Sequence, residues 1–372
     1  MQFLIVTHVP HIIEADKYYA YAPYVQEMNL WTKHIDDLVI VAPVTKEFKT
    51  AIDTVYLKEN IQFIATENFD VGSIKNSVRA ITKFPKICWT LFKAMRQADH
   101  IHLRCPGNIG LIGCIVQIFF PNKFKTAKYA GNWNPNAKQP WTYKFQQKIL
   151  QNTFLTRNMQ VLIYGAWEGQ TENCKSFFTA SYYEKEKEVL MIKNIEAKIT
   201  FIFVGALIKG KNPLHAIQLV EGLLKKGFNV DLNLYGEGSE RTKLEVYIAK
   251  NNLTEIISLK GNQDKVTLKK SYQQSHFVIL PSKSEGWPKA IAEGMFWGCI
   301  PIGTAVSCVP FMLDEGKRGV LLEMNLEKDI LQVETILKDQ FVYDNMQENV
   351  AIWSGKYTLD LFEEEIKKLL RS

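Results

Sequence analysis

Short runs rich in Val, Ile, Phe and Tyr alternate with longer stretches of helical period along most of this chain, and no other feature limits its fold so strongly. Strand, helix, strand in repetition is the pattern of a parallel sheet whose two faces are covered by helices. In the first half, strands are expected over residues 3–7, 38–44, 61–65, 100–104, 125–130 and 160–165, with helices over 21–31, 78–98, 109–120 and 141–154. The second half repeats the pattern more cleanly. Its strands are expected over 199–204, 230–235, 257–259, 277–280, 300–304 and 319–322, and its helices over 213–226, 240–251, 265–274 and 288–297. Between the halves, SYYEKEKEVL at 181–190 is charge-dense and lacks apolar period, so it reads as a linker. At 372 residues the chain has the length of about two to three ordinary domains. The expected fold class is α/β: a Rossmann-like domain over 1–190, a second over 191–355, and an amphipathic helix over 356–372 packing near the first. Ligands of such sheets lie at the carboxyl ends of the strands. The loops after Val204, Tyr235, Leu259 and Leu280 should then line the second domain's wall of a cleft between the two.

Composition excludes several classes. Hydrophobic residues are 47% and charged residues 23%, which supports large cores and rules out a disordered chain. The six cysteines form no CxxC pair or zinc spacing, so they read as reduced thiols and no metal site is expected. The opening MQFLIVTHVP has no basic leader and reads as a first strand rather than a signal peptide. The longest apolar stretch, residues 109–120, is 12 residues, short of the roughly 18–20 that cross a bilayer. A cytoplasmic location follows, with an interfacial helix still open.

Charge is unevenly placed. Residues 1–195 carry 23 Lys and Arg against 16 Asp and Glu, whereas residues 196–372 carry 22 against 23. Between Ser73 and Trp167, 14 basic residues stand against the single acid Asp99, interleaved with Trp89, Phe92, Trp133, Trp141 and Tyr143. Such a stretch attracts anionic surfaces. No helix-turn-helix, RNP-like or zinc-finger pattern accompanies it, so nucleic acid is not expected, and an anionic membrane face or a phosphorylated lipid acceptor leads. Solvated helix faces without a partner are the competing explanation.

The segment richest in chemistry is LPSKSEGWPKAIAEGMFWGCIP, residues 280–301. A strand ends at Leu280, a loop holds 282–287, and Pro288 suits the first helical position because its missing N–H is not needed there. With Trp287 as N-cap, the amides of Trp287, Lys289 and Ala290 and the helix dipole form an anion site at a strand end. The alternative is a helix start capped by Ser284 or Glu285. Glu293 sits among Ile291, Ala292, Gly294, Met295 and Phe296. Burial of a carboxylate without partners costs on the order of several kcal/mol, so it requires donors. Two sugar hydroxyls would supply them; Lys289, four residues earlier, is the plainer partner. A second element, VGALIKGKNP at 204–213, places Gly205 at a strand end and Lys209 and Lys211 in the following loop, where they suit a diphosphate or are simply solvated. YGEG at 235–238 and KGN at 260–262 are further glycine-bearing strand ends, weak as phosphate loops on their own.

Glu285 and Glu293 stand eight apart in EGWPKAIAE, and this segment resembles the EX7E motif of family 4 retaining glycosyltransferases, whose fold is GT-B. FVGALIKGKNP, LYGEG, LKGN and the closing SGKYTLDLFEEEIKKLL are similar as well, so the resemblance covers 199–372 and rests on alternation alone before residue 190. It implies two Rossmann-like domains facing across a cleft and transfer of a hexose-type sugar from a UDP- or GDP-linked donor. Residue by residue, it implies that Glu293 binds the ribose and Glu285 contacts the donor sugar. The backbone of Gly286, Trp287, Pro288, Lys289 and Ala290 would hold the diphosphate together with Lys211. Gly205, Ala206, Lys209 and Gly236 would line the donor, and the backbone near Asn262 would meet the base. Glu285 and Lys211 are the catalytic candidates.

Two departures stand out. Ala206 occupies the place of the arginine that usually follows the matched glycine, and Asn132 stands where a first-domain histidine is often found. Losing a charge stabiliser of the transition state typically costs about 3 kcal/mol, so either Lys209 or a first-domain cation such as Arg104 substitutes, or activity is weak. No DxD motif occurs, in keeping with a scheme that needs no metal or other cofactor. On the first-domain side His8, Arg104 and Asn132 are the acceptor candidates. A glycan or lipid-linked acceptor at the inner membrane face is one reading, and a non-catalytic nucleotide-sugar-binding or scaffold subunit is the other. A GT-B epimerase lacks an assignable acid/base pair, and a dehydrogenase lacks GxGxxG after a strand.

Overall fold

The computed structural model describes residues 1–50, 52–67 and 74–371, without the side chains of 74–82 and 371. Ser73 and the Lys75 and Arg79 side chains of the basic stretch therefore lie outside the described residues. The chain divides into two compact units, Met1–Phe178 with Phe362–Ser372, and Thr179–Leu361. The expected linker at 181–190 thus belongs to the second unit. Its charge density conceals two aromatic residues, of which Tyr182 is buried against Phe296 and Trp297, with ring centroids 4.9 and 5.0 Å away.

In chain order, the first unit holds β1 (Gln2–Val6), β2 (Ile12–Glu14), β3 (Lys17–Tyr21), α1 (Ala22–Thr32), β4 (Asp37–Pro43), β5 (Asp53–Val55) and β6 (Ile61–Thr66). There follow α2 (Ile74–Gln97), β7 (His100–Cys105), α3 (Asn108–Val116), β8 (Phe124–Tyr129), α4 (Trp141–Gln151), β9 (Met159–Tyr164) and β10 (Cys174–Phe177). Seven strands form a parallel sheet in the order β10-β9-β8-β7-β1-β4-β6. Helices on both faces bury the strands, which explains why β4 reads as an unbroken apolar run after Asp37. A separate antiparallel sheet, β2-β3-β5, was not expected. Its hairpin turns at Ala15 and Asp16, both with positive φ, a geometry usually carried by Asn-Gly; Ala-Asp gives no such signal.

The second unit contains β11 (Ile199–Val204), α5 (Pro213–Lys225), β12 (Val230–Tyr235), α6 (Arg241–Lys250), β13 (Ile257–Gly261), α7 (Lys265–Gln274) and β14 (Phe277–Leu280). It continues with α8 (Lys289–Phe296), β15 (Ile300–Thr304), α9 (Val309–Leu313), β16 (Val320–Leu322), α10 (Leu326–Leu337) and α11 (Gln340–Ser354). Its six strands are parallel in the order β13-β12-β11-β14-β15-β16. Phe201 and Phe277 stack at 4.9 Å in its interior. The helices α10 and α11 fill a region left unassigned from sequence, although Asn325 and Asp339 cap them by accepting from Lys328 N and from Phe341 and Val342 N.

The closing helix α12 (Leu359–Arg371) is amphipathic. Within the first unit, Phe362 packs on Phe177 and Phe178, Glu363 pairs with Lys33 at 2.8 Å and His34 at 2.9 Å, and Glu365 pairs with Lys175. No described helix is long and apolar enough to cross a membrane.

Candidate functional site

In the second unit the strand order reverses between β11 and β14, and a crevice at such a switch point is where open α/β sheets bind ligands. The loops that leave these strands are tied into one wall. Gly205 N donates to Tyr235 O at 2.9 Å, Leu207 N to Glu237 O at 2.9 Å, Gly236 N to Gly261 O at 2.8 Å and Lys283 N to Gly210 O at 2.8 Å. Glycine at 236 is what permits this: a Cβ there would fall 2.0 Å from Gly205 O, and one at 238 would fall 2.4 Å from Leu207 O. Gly236, expected to line the donor, packs directly against the Gly205 loop. Both glycines of the YGEG pattern make loop-on-loop contacts.

Across the switch point the Lys211 ammonium pairs with the Glu285 carboxylate. Glu285 is held by its own loop, whose Gly286 O accepts from Ser307 Oγ at 2.9 Å and Cys308 Sγ at 3.1 Å. Lys209 and Ala206 are exposed beside this pair, and Asn262 is exposed after β13.

The helix α8 begins one residue later than expected. Its N-cap is Pro288, whose carbonyl accepts from Ala292 N at 3.1 Å, so the amides outside the helix ladder are those of Lys289, Ala290 and Ile291. Trp287 is not the cap; its ring is buried against Trp353 and Tyr357, with centroids at 6.3 and 5.6 Å, which drives the chain past the N-cap position before it turns. The helix closes on Gly298, φ +72°, with Cys299 N bonded to Gly294 O and Gly298 N to Met295 O. Gly294 sets how closely the helix lies on the sheet, since a Cβ there would come within 2.6 Å of Val278 Cγ1.

That approach turns the neighbouring Glu293 toward α7. Its Oε1 accepts from Ser181 Oγ and its Oε2 from Tyr272 OH at 3.3 Å. Burial pushes the carboxyl above its usual range; the Ser181 hydrogen bond, the charge of Lys289, the Tyr272 hydrogen bond and the charge of Lys265 oppose this. Lys289, the partner suggested by its spacing, acts on this carboxyl through its charge. Ser181 and Tyr272 were missed. One lay in the presumed linker and the other is a single buried tyrosine on a polar helix, so their meeting is purely tertiary.

In the first unit the order reverses between β1 and β7. His8 is exposed there and its ring fills the space over Gly107, where a Cβ would be 2.7 Å from Nδ1. Arg104 pairs with Glu27 at 2.8 Å, with both side chains largely buried. Asn132 closes a turn, its Oδ1 accepting from Asn134 N at 2.9 Å. The basic stretch is also less exposed than its count suggests. Lys125 and Lys128 are buried, bonded to Phe120 O and Phe178 O at 2.9 and 2.8 Å, and Lys83 and Lys86 pair with Glu67. Lys93, Arg96, Lys138, Lys144, Lys148 and Arg157 remain at the surface with Trp89, Trp141, Phe145 and Phe154. Among the described residues, no group of three or more His, Cys, Asp or Glu side chains could hold a metal ion.

Residues 184–353 match the family described as Glycosyl transferases group 1. An uncharacterized glycosyltransferase of Methanocaldococcus jannaschii is 26% identical over 200 residues, covering 53% of this chain and 54% of that protein. Protein CapJ of Staphylococcus aureus is 23% identical over 395 residues, covering all of this chain and 95% of CapJ. Among solved structures, Anabaena HepE in complex with UDP and glucose superposes with a TM-score of 0.69 at 13% identity, over 100% of this chain and 99% of that one. The two-domain α/β fold is thus that of the GT-B glycosyltransferases.

Proposed function

We propose that this chain, whose residues 184–353 match the family described as Glycosyl transferases group 1, is a retaining glycosyltransferase that moves a hexose-type sugar from a UDP- or GDP-linked donor. The Lys211–Glu285 pair across the switch point, beside the start of the helix that carries Glu293, is the observation that carries this reading.

A donor diphosphate would take over the Lys211 ammonium and meet the first amides of α8, where the helix dipole favours negative charge. Glu285, released from its ion pair, would accept hydrogen bonds from the sugar, while Glu293 accepts from the ribose. As the sugar–phosphate bond lengthens, the charge that builds on the leaving diphosphate is met by Lys211 and those amides, with Lys209 as a further cation, so that no metal is called for. The acceptor hydroxyl attacks from the face the diphosphate leaves, and anomeric configuration is kept. That HepE holds UDP and glucose supports the donor class.

The acceptor is a lipid-linked or polysaccharide-precursor glycan at the inner membrane face. This rests on the exposed cations and aromatics of α2 and α4, a pairing suited to an anionic lipid surface. One observation favours a non-catalytic nucleotide-sugar-binding subunit instead: Ala206 stands where an arginine is usual, and Asn132 where a first-domain histidine is often found. Product analysis with UDP- and GDP-sugars across an acceptor panel decides between them. Transfer with retained configuration supports the enzyme; tight donor binding without transfer or hydrolysis favours the binding subunit.

A further inference from the structure

Glu293 can serve a ribose only if its carboxylate is both ionised and held in one plane; the charge of Lys289 on its own helix favours the ionised form, and two donors hold the oxygens. The two donors come from elsewhere. Ser181 Oγ, from the segment before the 3-10 turn at 184–186, bonds Oε1, and Tyr272 OH, from α7, bonds Oε2. Both donors are themselves fixed. Lys265 Nζ donates to Ser181 O at 2.6 Å and lies 4.8 Å from the centroid of the Tyr182 ring, while Tyr272 is fully buried. Each oxygen of a carboxylate has about two lone-pair sites. One donor on each oxygen holds the carboxylate at two points and leaves about one lone-pair site per oxygen, as many acceptors as a vicinal diol needs.

We propose that Ser181 and Tyr272 are positioning residues of the nucleotide site, holding the Glu293 carboxylate so that its two remaining lone pairs accept the 2′ and 3′ hydroxyls of the ribose together. This rests on the reading of Glu293 given above. It makes Ser181 and Tyr272 determinants of ribose recognition and gives them no part in bond breaking. The charged and titratable groups around the carboxylate include Lys289 on its own helix, Lys265 and Tyr272 on α7 and Tyr182 on the preceding segment, with Glu186 and Cys299 acting on these tyrosines.

Calorimetry on the full chain with UDP, GDP and their 2′,3′-dideoxy analogues tests this. The wild type is expected to prefer the ribonucleotide over its analogue. In Tyr272→Phe and Ser181→Ala that preference shrinks about 3- to 10-fold while analogue affinity is unchanged, as expected for loss of one hydrogen bond to a charged acceptor. Ser181→Thr, which keeps the hydroxyl, restores it. The acid limb of ribonucleotide binding also moves to higher pH in the two weakened variants, because each loses a donor that favours the ionised carboxylate. A preference that survives intact in both variants overturns the positioning role, as does tighter ribonucleotide binding by Ser181→Ala, which would mark Ser181 as a competitor for the carboxylate. If the wild type shows no preference, or binds neither nucleotide, the ribose reading of Glu293 itself fails and this inference falls with it.

Discussion

The Lys211 ammonium and the Glu285 carboxylate, 74 residues apart in sequence, meet across the β11/β14 switch point and join the two loops that frame it. Glu285 is nearly buried and Lys211 about a quarter exposed, so each lies where the other's charge is felt through little water. In the free chain the pair occupies both charges that the donor would use.

Lys211→Ala is expected to lower kcat about 100-fold, the scale of losing one transition-state charge stabiliser, with a smaller change in KM. Steady-state kinetics on whichever donor turns over measures it. An unchanged kcat would remove Lys211 from the chemistry.

Glu293→Ala should weaken nucleotide binding by about 2–3 kcal/mol, roughly 30- to 150-fold, because two hydrogen bonds to an ionised acceptor are lost. Isothermal titration with UDP and GDP reads this directly. Binding at wild-type strength would end the donor assignment.

The pH dependence has two opposite signs. Burial raises the Glu293 carboxyl above its unfolded value, so its contribution to folding stability is full below about pH 4.5 and is lost as pH rises through the folded value. Nucleotide binding needs the carboxylate and so weakens as pH falls through the same window. Thermal-shift curves with and without nucleotide from pH 4.5 to 7.5 should show ligand stabilisation growing with pH. Glu293→Gln should flatten that growth.

Gly236→Ala should unfold the loop wall. A Cβ 2.0 Å from Gly205 O must push backbone aside at a positive φ, an overpacking of about 1–3 kcal/mol or more. Chemical denaturation reports the loss. Gly205→Ala, whose Cβ would meet nothing closer than 3.7 Å, separates close approach from mere strand-end position.

Trp89→Ser combined with Trp141→Ser, both exposed in the first unit, should weaken sedimentation with anionic vesicles by several-fold and leave neutral vesicles unaffected. Raising salt should weaken what remains, since the cations beside them act at a distance. Equal binding by wild type and variant would assign these residues to ordinary surface.

The alternation of apolar runs and helical patterns was enough to place all thirteen strands of the two parallel sheets but β10, because strands buried on both faces must be apolar throughout. It could not show the β2-β3-β5 sheet, whose turn lacks the usual residues, or the cap at Pro288, which depends on where Trp287 finds its aromatic neighbours. The acidic pair at 285 and 293 was legible because both residues lie on one loop and one helix of fixed spacing. Their partners were not: the loop position of Lys211 suits a phosphate whether or not a carboxylate meets it, and Ser181 opens a charge-dense segment without apolar period. Arg104 shows the same limit, since nothing local reveals that Glu27 reaches it. Period and residue type act over a few positions and so determine strands, helices and the loops between them. Which distant side chain satisfies a buried charge is decided only when packing brings those loops together, since a carboxylate removed from water must find its donors wherever the fold supplies them.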